Sequence, residues 1–244
     1  MLNTHSLDLE SGSSQLASIT DAAQTGLDIT GAMSIECWVK LESSPAEGTS
    51  MAFVSKQTTT GNQVSYQFYY QLSSGVYQLV FYISPDGVAA NRTYLTKNVT
   101  LTNGTYYHLA STFDPAQSSG SRGKLYVNAS DQSATDGLGT SIYNSSARFN
   151  IGAANSISPL NYLDGLIDDV RIWNDVRTPT EISTYYQTEL AGNESNLQGY
   201  WKLNNTYSDE TSNNNDLTAS GSPVFSTTVP FVGTTTTAGI MSIL

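Results

Sequence analysis

Side chains that could take part in nucleophilic or acid–base catalysis are few and far apart in this sequence. It contains two histidines, His5 and His108, and it has neither a Gly-x-Ser-x-Gly nucleophile elbow nor a phosphate-binding glycine loop. His108 lies in the stretch 106–110, whose apolar and aromatic residues predict a strand with a packed imidazole rather than a general base. The sequence therefore gives little support to nucleophilic catalysis.

Paired carboxylates are the other candidates for catalysis. Glycoside hydrolysis needs two of them, about 5–5.5 Å apart for retention and about 6.5–9.5 Å apart for inversion. Asp168 and Asp169 are adjacent in a predicted strand, so strict alternation puts their side chains on opposite faces. Glu36 is followed in its own strand by Cys37 and Lys40 rather than by further acids. We therefore predict that the protein is not an enzyme.

The elements that would position these residues centre on the stretch 162–190. Strict alternation in its strand predicts one face with Leu166, Asp168, Val170 and Ile172, and another with Ile167, Asp169, Arg171 and Trp173. Because both faces carry apolar residues, we expect cover on both sides, as in a two-layer β architecture. A charge on such a strand needs a partner, and we predict that Glu36 is the partner of Arg171.

A short helix should follow this strand. Thr178 is a plausible N-cap, Pro179 suits the first helical position, and Glu181 completes a capping box three residues after the cap. Gly192 is expected to stop the helix.

Elsewhere the pattern predicts strands separated by turns. The predicted strands cover residues 6–10, 16–19, 33–41, 51–56, 64–72, 76–84, 93–101, 106–113, 124–128, 149–152 and 198–203. The last of these is expected near the first, which brings the ends of the domain together. Residues 213–230 are predicted to form a loosely packed excursion.

Composition and charge exclude several classes of protein. The formal net charge is −11 at pH 7, and the clustered Lys and Arg residues that a phosphate backbone requires are missing, so we predict no nucleic-acid partner. No apolar run reaches 18 residues, so no membrane-spanning helix is predicted. The single cysteine, Cys37, excludes an intrachain disulfide and is expected to be a buried, inert thiol.

Several segments of the chain occur in the order typical of a known superfamily. They are SLDLESGSSQLASI, MSIECWVKLES, MAFVSK, YYHLASTFDPAQ, KLYVNAS, RFNIGAA, DGLIDDVRIWNDVRTPTEI and LQGYWKLNN. Through them, residues 6–225 resemble the laminin-G-like domains of the concanavalin A-like lectin/glucanase superfamily. The resemblance implies an all-β fold, a jelly-roll sandwich of two antiparallel sheets, with one short helix in the C-terminal half. It also implies recognition of carbohydrate or protein in extracellular or surface settings.

The resemblance further implies a structural calcium ion (Ca2+). In the related glucanases, an aspartate of a late D-x-V-R strand and backbone oxygens near the first strand hold calcium. Asp168 of this chain matches that aspartate, and Glu10 and Gly12 are the nearest matches for the backbone donors. Calcium accepts such oxygen ligands without a compact sequence motif. The alternative is that Asp168 only hydrogen-bonds the neighbouring backbone.

Taken together, these patterns predict a non-catalytic module that binds a glycan or a glycosylated surface through loops at one rim of the sandwich. Sugars are commonly held by aromatic stacking and planar polar side chains. The candidate ligand-binding residues are Asp86, Asn91, Arg92, Asn155, Asn161 and Tyr162. Ordinary solvation of each loop residue is the alternative.

The C-terminal end leaves a second function open. We predict a domain over residues 1–230 and a flexible tail or docking segment over 231–244, because four threonines precede an apolar end. Such a tail suits a structural or decoration protein of a virus particle or extracellular assembly, with oligomers formed through it. The first residues lack the features of a secretory signal, so if Met1 is the true start, virus assembly is one export route. Both functions predict an extracellular, cell-surface or virion-surface location.

Overall fold

Two antiparallel sheets packed face to face form the protein. The computed structural model describes residues 3–154 and 160–231. Every described pairing between two strands is antiparallel, and each sheet contains eight strands. This arrangement confirms the predicted jelly-roll sandwich. Candidate residue Asn155 and most of the predicted tail, residues 232–244, lie outside the described residues.

The first sheet places the beginning and the end of the chain side by side. Its main path runs β10 (Ser130–Asp131), β9 (Gly123–Val127), β8 (Tyr106–Phe113), β3 (Met33–Leu41), β13 (Gly165–Trp173), β1 (Ser6–Leu9) and β16 (Val224–Ser226). The eighth strand, β14 (Leu197–Trp201), pairs with the second half of β13, whereas β1 pairs with its first half. The expected approach of the last core strand to the first is therefore confirmed.

In the second sheet, four strands that are consecutive in the chain pair as successive hairpins. Its order is β11 (Thr135–Asp136), β7 (Thr93–Asn98), β6 (Val76–Ile83), β5 (Gln63–Ser73), β4 (Ser50–Thr58), β12 (Phe149–Ile151), β2 (Leu16–Ile19) and β15 (Thr218–Ser220). Short 3-10 turns cover Ser11–Ser13, Asp21–Ala23 and Ala89–Asn91. Both β15 and β16 fall in the segment that the sequence predicts to be loosely packed. β15 forms one edge of this sheet and β16 one edge of the other, and the side chains of both strands are exposed or half-buried, in keeping with loose packing.

The core lies between the sheets and follows the period-two pattern of the strands. In β5, for example, Tyr66, Phe68 and Tyr70 all point into it and are fully buried. Across the sandwich, Trp201 stacks on Phe149 with ring centroids 5.0 Å apart. Burying one such side chain fully stabilises the fold by about 1.5–3 kcal/mol. The alternate residues of each strand are thereby forced onto the outer faces.

Strand β13 departs from strict alternation at Asp169. That residue has φ 51°, and the pairing with β3 shifts register between Asp168 and Arg171, as at a β-bulge. Ile167 and Val170 consequently both face the core. The predicted faces are therefore wrong before the bulge. Asp168 and Asp169 lie together on the outer side of the sheet rather than on opposite faces.

Helix α1 (Pro179–Tyr185) begins as predicted and ends early. Thr178 Oγ1 accepts a hydrogen bond from the Glu181 backbone N–H at 3.2 Å, and the Glu181 carboxylate accepts one from the Thr178 backbone N–H at 2.7 Å. These two bonds confirm the capping box. The helix stops well before Gly192, because Arg171 and the indole of Trp38 donate to backbone carbonyls at and just after its C-terminal end. Within the described residues, no helix is long and apolar enough to cross a bilayer.

Candidate functional site

A groove of about 300 Å³ lies on the outer face of the second sheet, across β4, β5 and β6. The same alternation that buries the core residues of β5 sends Gln67, Tyr69 and Gln71 into this groove. Gln57 of β4 and Tyr82 of β6 join them. Because the floor of the groove is built on paired strands, the positions of these five side chains are set by the sheet rather than by loops.

Hydrogen bonds fix the orientation of the groove side chains. Gln67 Oε1 accepts the Tyr82 hydroxyl at 2.7 Å and the Gln57 amide at 3.2 Å. Burial raises the pKa of the Tyr82 phenol, so the hydroxyl remains a donor to Gln67 at neutral pH. The Gln67 amide nitrogen makes no hydrogen bond to the described part of the protein. Two oriented donors are therefore available to a ligand.

A second row of amides continues from the groove across the sheet. The Gln71 amide donates to Gln78 Oε1 at 2.8 Å, and the Gln78 amide donates to Asn98 Oδ1 at 3.0 Å. Tyr94 extends the same face on β7, with its ring edge-on to Tyr82 at 5.7 Å and 41% of its surface exposed. Planar amides and an exposed aromatic ring thus alternate over three neighbouring strands.

Arg92 stands at one end of the groove. Its guanidinium lies over the Tyr82 ring, 4.8 Å from the centroid, and Nη2 is 3.5 Å from Gln57 Oε1. The described lining of the groove contains no other charged residue.

The structure brings two of the predicted ligand-binding residues together, since both Arg92 and Asn161 line the groove. Asp86 and Asn91 instead organise the turn before β7, where the Asn91 amide donates to Asp86 Oδ2 at 2.6 Å. Tyr162 follows Asn161 and is half-buried outside the groove lining. The loop-based prediction therefore covers only the rim of this groove.

Sequence reasoning missed the strand residues that form the floor of the groove. The available signal was the alternation of Gln67, Tyr69 and Gln71 with core aromatics, which marks an outer face that is polar but not charged. The partners Gln57 and Tyr82 are far away in sequence, and only strand pairing brings them beside β5.

Three carboxylates near the first turn form a separate cluster that could hold a metal ion. The nearest carboxylate oxygens of Asp8, Glu10 and Glu42 lie within 4.8 Å of one another. Burial and the charges of its acidic neighbours raise the pKa of Glu42. One oxygen of Asp8 is buried without a hydrogen-bond partner in the described structure. An all-oxygen donor set with mutual repulsion fits calcium chemistry.

The residues that the resemblance assigns to calcium are placed differently. Asp168 is fully buried and accepts hydrogen bonds from Asn3 Nδ2 at 2.7 Å and Ser6 Oγ at 3.2 Å. Glu10 contributes its carboxylate to the cluster, while its carbonyl accepts the Ser13 N–H at 3.1 Å. Gly12 is exposed in the same turn. The calcium assignment to Asp168 stays a prediction.

A buried ionic network occupies the outer side of the first sheet, beneath the helix. Arg171 donates to Asp169 Oδ2 at 2.5 Å and lies 3.9 Å from Glu36 Oε2, directly opposite Glu36 in the strand pairing. The predicted pair is thus confirmed, with Asp169 as the closer partner. His108 Nε2 is 3.3 Å from the same Glu36 oxygen. These groups are almost fully buried, so a polymer substrate cannot reach them.

The sequence profile of a family described as the concanavalin A-like lectin/glucanases superfamily matches residues 11–183. No curated protein matches the chain.

Solved structures of several proteins share the fold. A proposed carbohydrate binding protein from Bacteroides ovatus ATCC 8483 superposes with a TM-score of 0.67 and 14% identity, over 95% of this chain and 61% of that one. A native heptameric SAP-like pentraxin from Limulus polyphemus superposes with a TM-score of 0.59 and 13% sequence identity, over 91% of this chain and 94% of the pentraxin chain. The CBM40 module of a Ruminococcus gnavus IT-sialidase was solved bound to α2,3 sialyllactose. It superposes with a TM-score of 0.50 and 15% sequence identity, over 70% of this chain and 96% of the CBM40 chain. This chain thus spans under two thirds of the Bacteroides protein.

Proposed function

Because the chain belongs to the concanavalin A-like lectin/glucanase superfamily, we propose that it is a non-catalytic module that binds glycans in the groove on the second sheet. The single observation that carries this proposal is the outer face of β5 and its neighbours. There, oriented amides and tyrosines line the groove, with Gln71 and Arg92 partly exposed and Gln57, Gln67, Tyr69 and Tyr82 at most 7% exposed. Amides that can both donate and accept suit sugar hydroxyls, and aromatic rings suit the apolar faces of pyranose rings.

The same groove supports a binding role without catalysis. Glycoside hydrolysis requires two carboxyl groups flanking the scissile bond, whereas the described groove lining contains no Asp or Glu. Two buried acids of the first sheet, Glu36 and Asp169, pair with Arg171 on the far side of the sandwich. A glycan in the groove would therefore meet hydrogen-bonding groups and aromatic rings but no general acid.

Glycan recognition of this kind is proposed to act in an extracellular, cell-surface or virion-surface setting, with a glycan or glycoprotein surface as the partner. The relatives in the comparison include carbohydrate-binding and lectin-like modules, which supports this setting. A structural or decoration role, with self-association through the tail, remains a prediction that depends on residues outside the described structure.

An exposed tyrosine at each face of the sandwich allows a matched test of the glycan-binding face, because Tyr94 stands beside the groove lining, against Tyr82. Tyr94→Ala should weaken glycan binding by about three- to tenfold, because a stacked aromatic contributes about 0.5–1.5 kcal/mol beyond its buried area. Tyr185→Ala is the control, since Tyr185 is equally exposed, at 43%, but lies on the helix over the first sheet. Screening on a glycan array, followed by calorimetry on the best ligand, measures both. Equal affinity of the two variants would count against glycan binding across this face of the second sheet, and no glycan binding by the unmutated protein would refute the function.

We also propose that calcium binds the Asp8, Glu10 and Glu42 cluster and stabilises the first turn. Binding to the folded state alone adds about 2.7 kcal/mol at a calcium concentration 100 times Kd, so the melting temperature should rise. Melting curves with chelator and with excess calcium measure this shift. Glu42→Gln should reduce it, whereas Asp168→Asn should preserve it. The reverse result would favour the assignment to Asp168, and superimposable curves for the unmutated protein would argue against any calcium site.

A further inference from the structure

The charge of the groove is opposite to that of the protein. The chain has 21 acidic and 10 basic residues, yet the one charged side chain in the described groove lining is Arg92. No carboxylate of the described structure lies within ion-pair distance of it. A buried cation elsewhere in the second sheet, Lys56, is neutralised by Asp21 and Asp28, 2.6 and 3.0 Å away. The groove therefore keeps a positive charge that no acidic side chain of the described residues neutralises.

Arg92 is held in place with hydrogen-bonding capacity to spare. The Tyr82 ring fixes the plane of the guanidinium, and its one hydrogen bond to a described residue is the long contact with Gln57. Its Nε–H is buried and has no partner in the described structure. Since a guanidinium carries five N–H donors in a rigid fork, most of them remain available. A planar, oriented fork of donors matches a carboxylate or sulfate group through two parallel hydrogen bonds.

From this geometry we infer that the groove selects acidic saccharides, with the carboxylate or sulfate of a sugar unit on Arg92 and the neighbouring ring over the glutamine row. The inference rests on the proposed glycan binding and adds the class of ligand. A neutral sugar could use the amides of Gln67 and Gln71, but it would leave the guanidinium without an anion. The anionic group supplies the counter-charge that Arg92 lacks among the described residues.

The test uses pairs of glycans that differ only in charge. Two pairs test the carboxylate: polygalacturonate and its fully methyl-esterified form, and hyaluronan and its methyl ester. A third pair, dextran sulfate and dextran, tests the sulfate. These pairs are immobilised together with a broad array of acidic and neutral glycans, and the full chain is applied at constant ionic strength. We expect binding concentrated on acidic glycans, and a loss of about tenfold or more when the bound carboxylate is esterified or the sulfate is absent.

Variants at Arg92 and at a second arginine outside the groove lining, Arg148, separate the outcomes. Arg92→Gln should reduce the affinity for acidic glycans about tenfold or more. Arg92→Lys should have an affinity between those of the unmutated protein and Arg92→Gln, because lysine keeps the charge but not the forked pair of donors. Arg148→Gln is the control, since Arg148 lies beyond the groove lining and forms no ion pair with a described residue. Unchanged melting temperatures show that the variants are folded.

The binding results distinguish a failure of the acidic-glycan inference from a failure of the proposed function. If neutral glycans bind as tightly as acidic ones and Arg92→Gln changes nothing, the groove binds glycans but the acidic class is wrong. If Arg148→Gln alone abolishes binding, Arg92 is not the anion site. If the unmutated chain binds no glycan on the array, the proposed function fails and this inference fails with it.

Discussion

Replacing Arg171 by leucine should lower the free energy of unfolding by about 3–5 kcal/mol, the usual cost of breaking a buried ion pair by removing one partner. Arg171 is 1% exposed and faces Asp169 at 2.5 Å and Glu36 at 3.9 Å. Leucine would leave both carboxylates buried without their counter-charge. It would also free the carbonyls of Tyr185 and Thr188, which Arg171 binds at 3.1 and 2.7 Å, so the end of the helix would lose its anchor on the sheet.

Urea unfolding followed by tryptophan fluorescence measures this loss, because Trp38 and Trp173 border the network. Arg148→Leu is the control. It removes an arginine without a described ion pair and should change stability by no more than about 0.5 kcal/mol. Adding Asp169→Asn to Arg171→Leu should recover part of the loss, since the second change removes the uncompensated charge. A loss below about 1 kcal/mol for Arg171→Leu would show that the network contributes little.

Local sequence patterns were sufficient for much of this architecture. Strands β3 and β8 have the predicted limits, because uninterrupted alternation is bounded by turn residues on both sides. The capping box at Thr178 and Glu181 needs only residues three apart, so the start of the helix was also predictable. The pairing of Arg171 with Glu36 followed from a simpler rule, that a charge within a sandwich requires a partner.

The remaining features depend on contacts that no local pattern records. Strict alternation could not place the extra residue at Asp169, because a bulge is defined by the partner strand as much as by its own sequence. The early end of the helix is set by Arg171 and Trp38, which reach its last carbonyls from the sheet. The groove floor is assembled from three strands whose contributions are separated in the chain. Loops were therefore an incomplete guide to the binding face.

The bulge places the Asp168 carboxyl beside Asp169 in a buried environment that changes its pKa. Burial, together with the charge of Asp169, raises the pKa of Asp168 well above its ordinary value, although hydrogen bonds from Asn3 and Ser6 oppose the shift. A carboxyl whose pKa is raised on folding binds a proton more tightly in the native state. The contribution of Asp168 to the free energy of unfolding is therefore most favourable below the ordinary pKa of about 4, and this contribution falls as the pH rises through the raised pKa.

Asp168→Asn should accordingly flatten this part of the pH dependence and increase stability at neutral pH. Each unit by which the pKa of a carboxyl is raised costs the native state about 1.4 kcal/mol once the pH exceeds the raised value, and asparagine cannot ionise. The amide oxygen can still accept from Asn3 and Ser6, while the bond from the Asp169 N–H to Oδ1 is lost. We expect the net change in the free energy of unfolding at neutral pH to be positive, measured by urea unfolding between pH 4 and 8 with chelator present.

Asp164→Asn provides a control of opposite sign. Burial alone would raise the pKa of Asp164, but hydrogen bonds from Ser43 and Ser11 outweigh it and lower the pKa. The stability that Asp164 contributes is thus present above its ordinary pKa and is lost as the pH falls through the lowered one, so its amide variant should be less stable at neutral pH. If Asp168→Asn behaves in the same way as Asp164→Asn, the three donors around Asp168 outweigh its burial, and the carboxylate is ionised at neutral pH. An ionised, buried carboxylate would in turn favour the calcium assignment to Asp168 that the superfamily resemblance predicts.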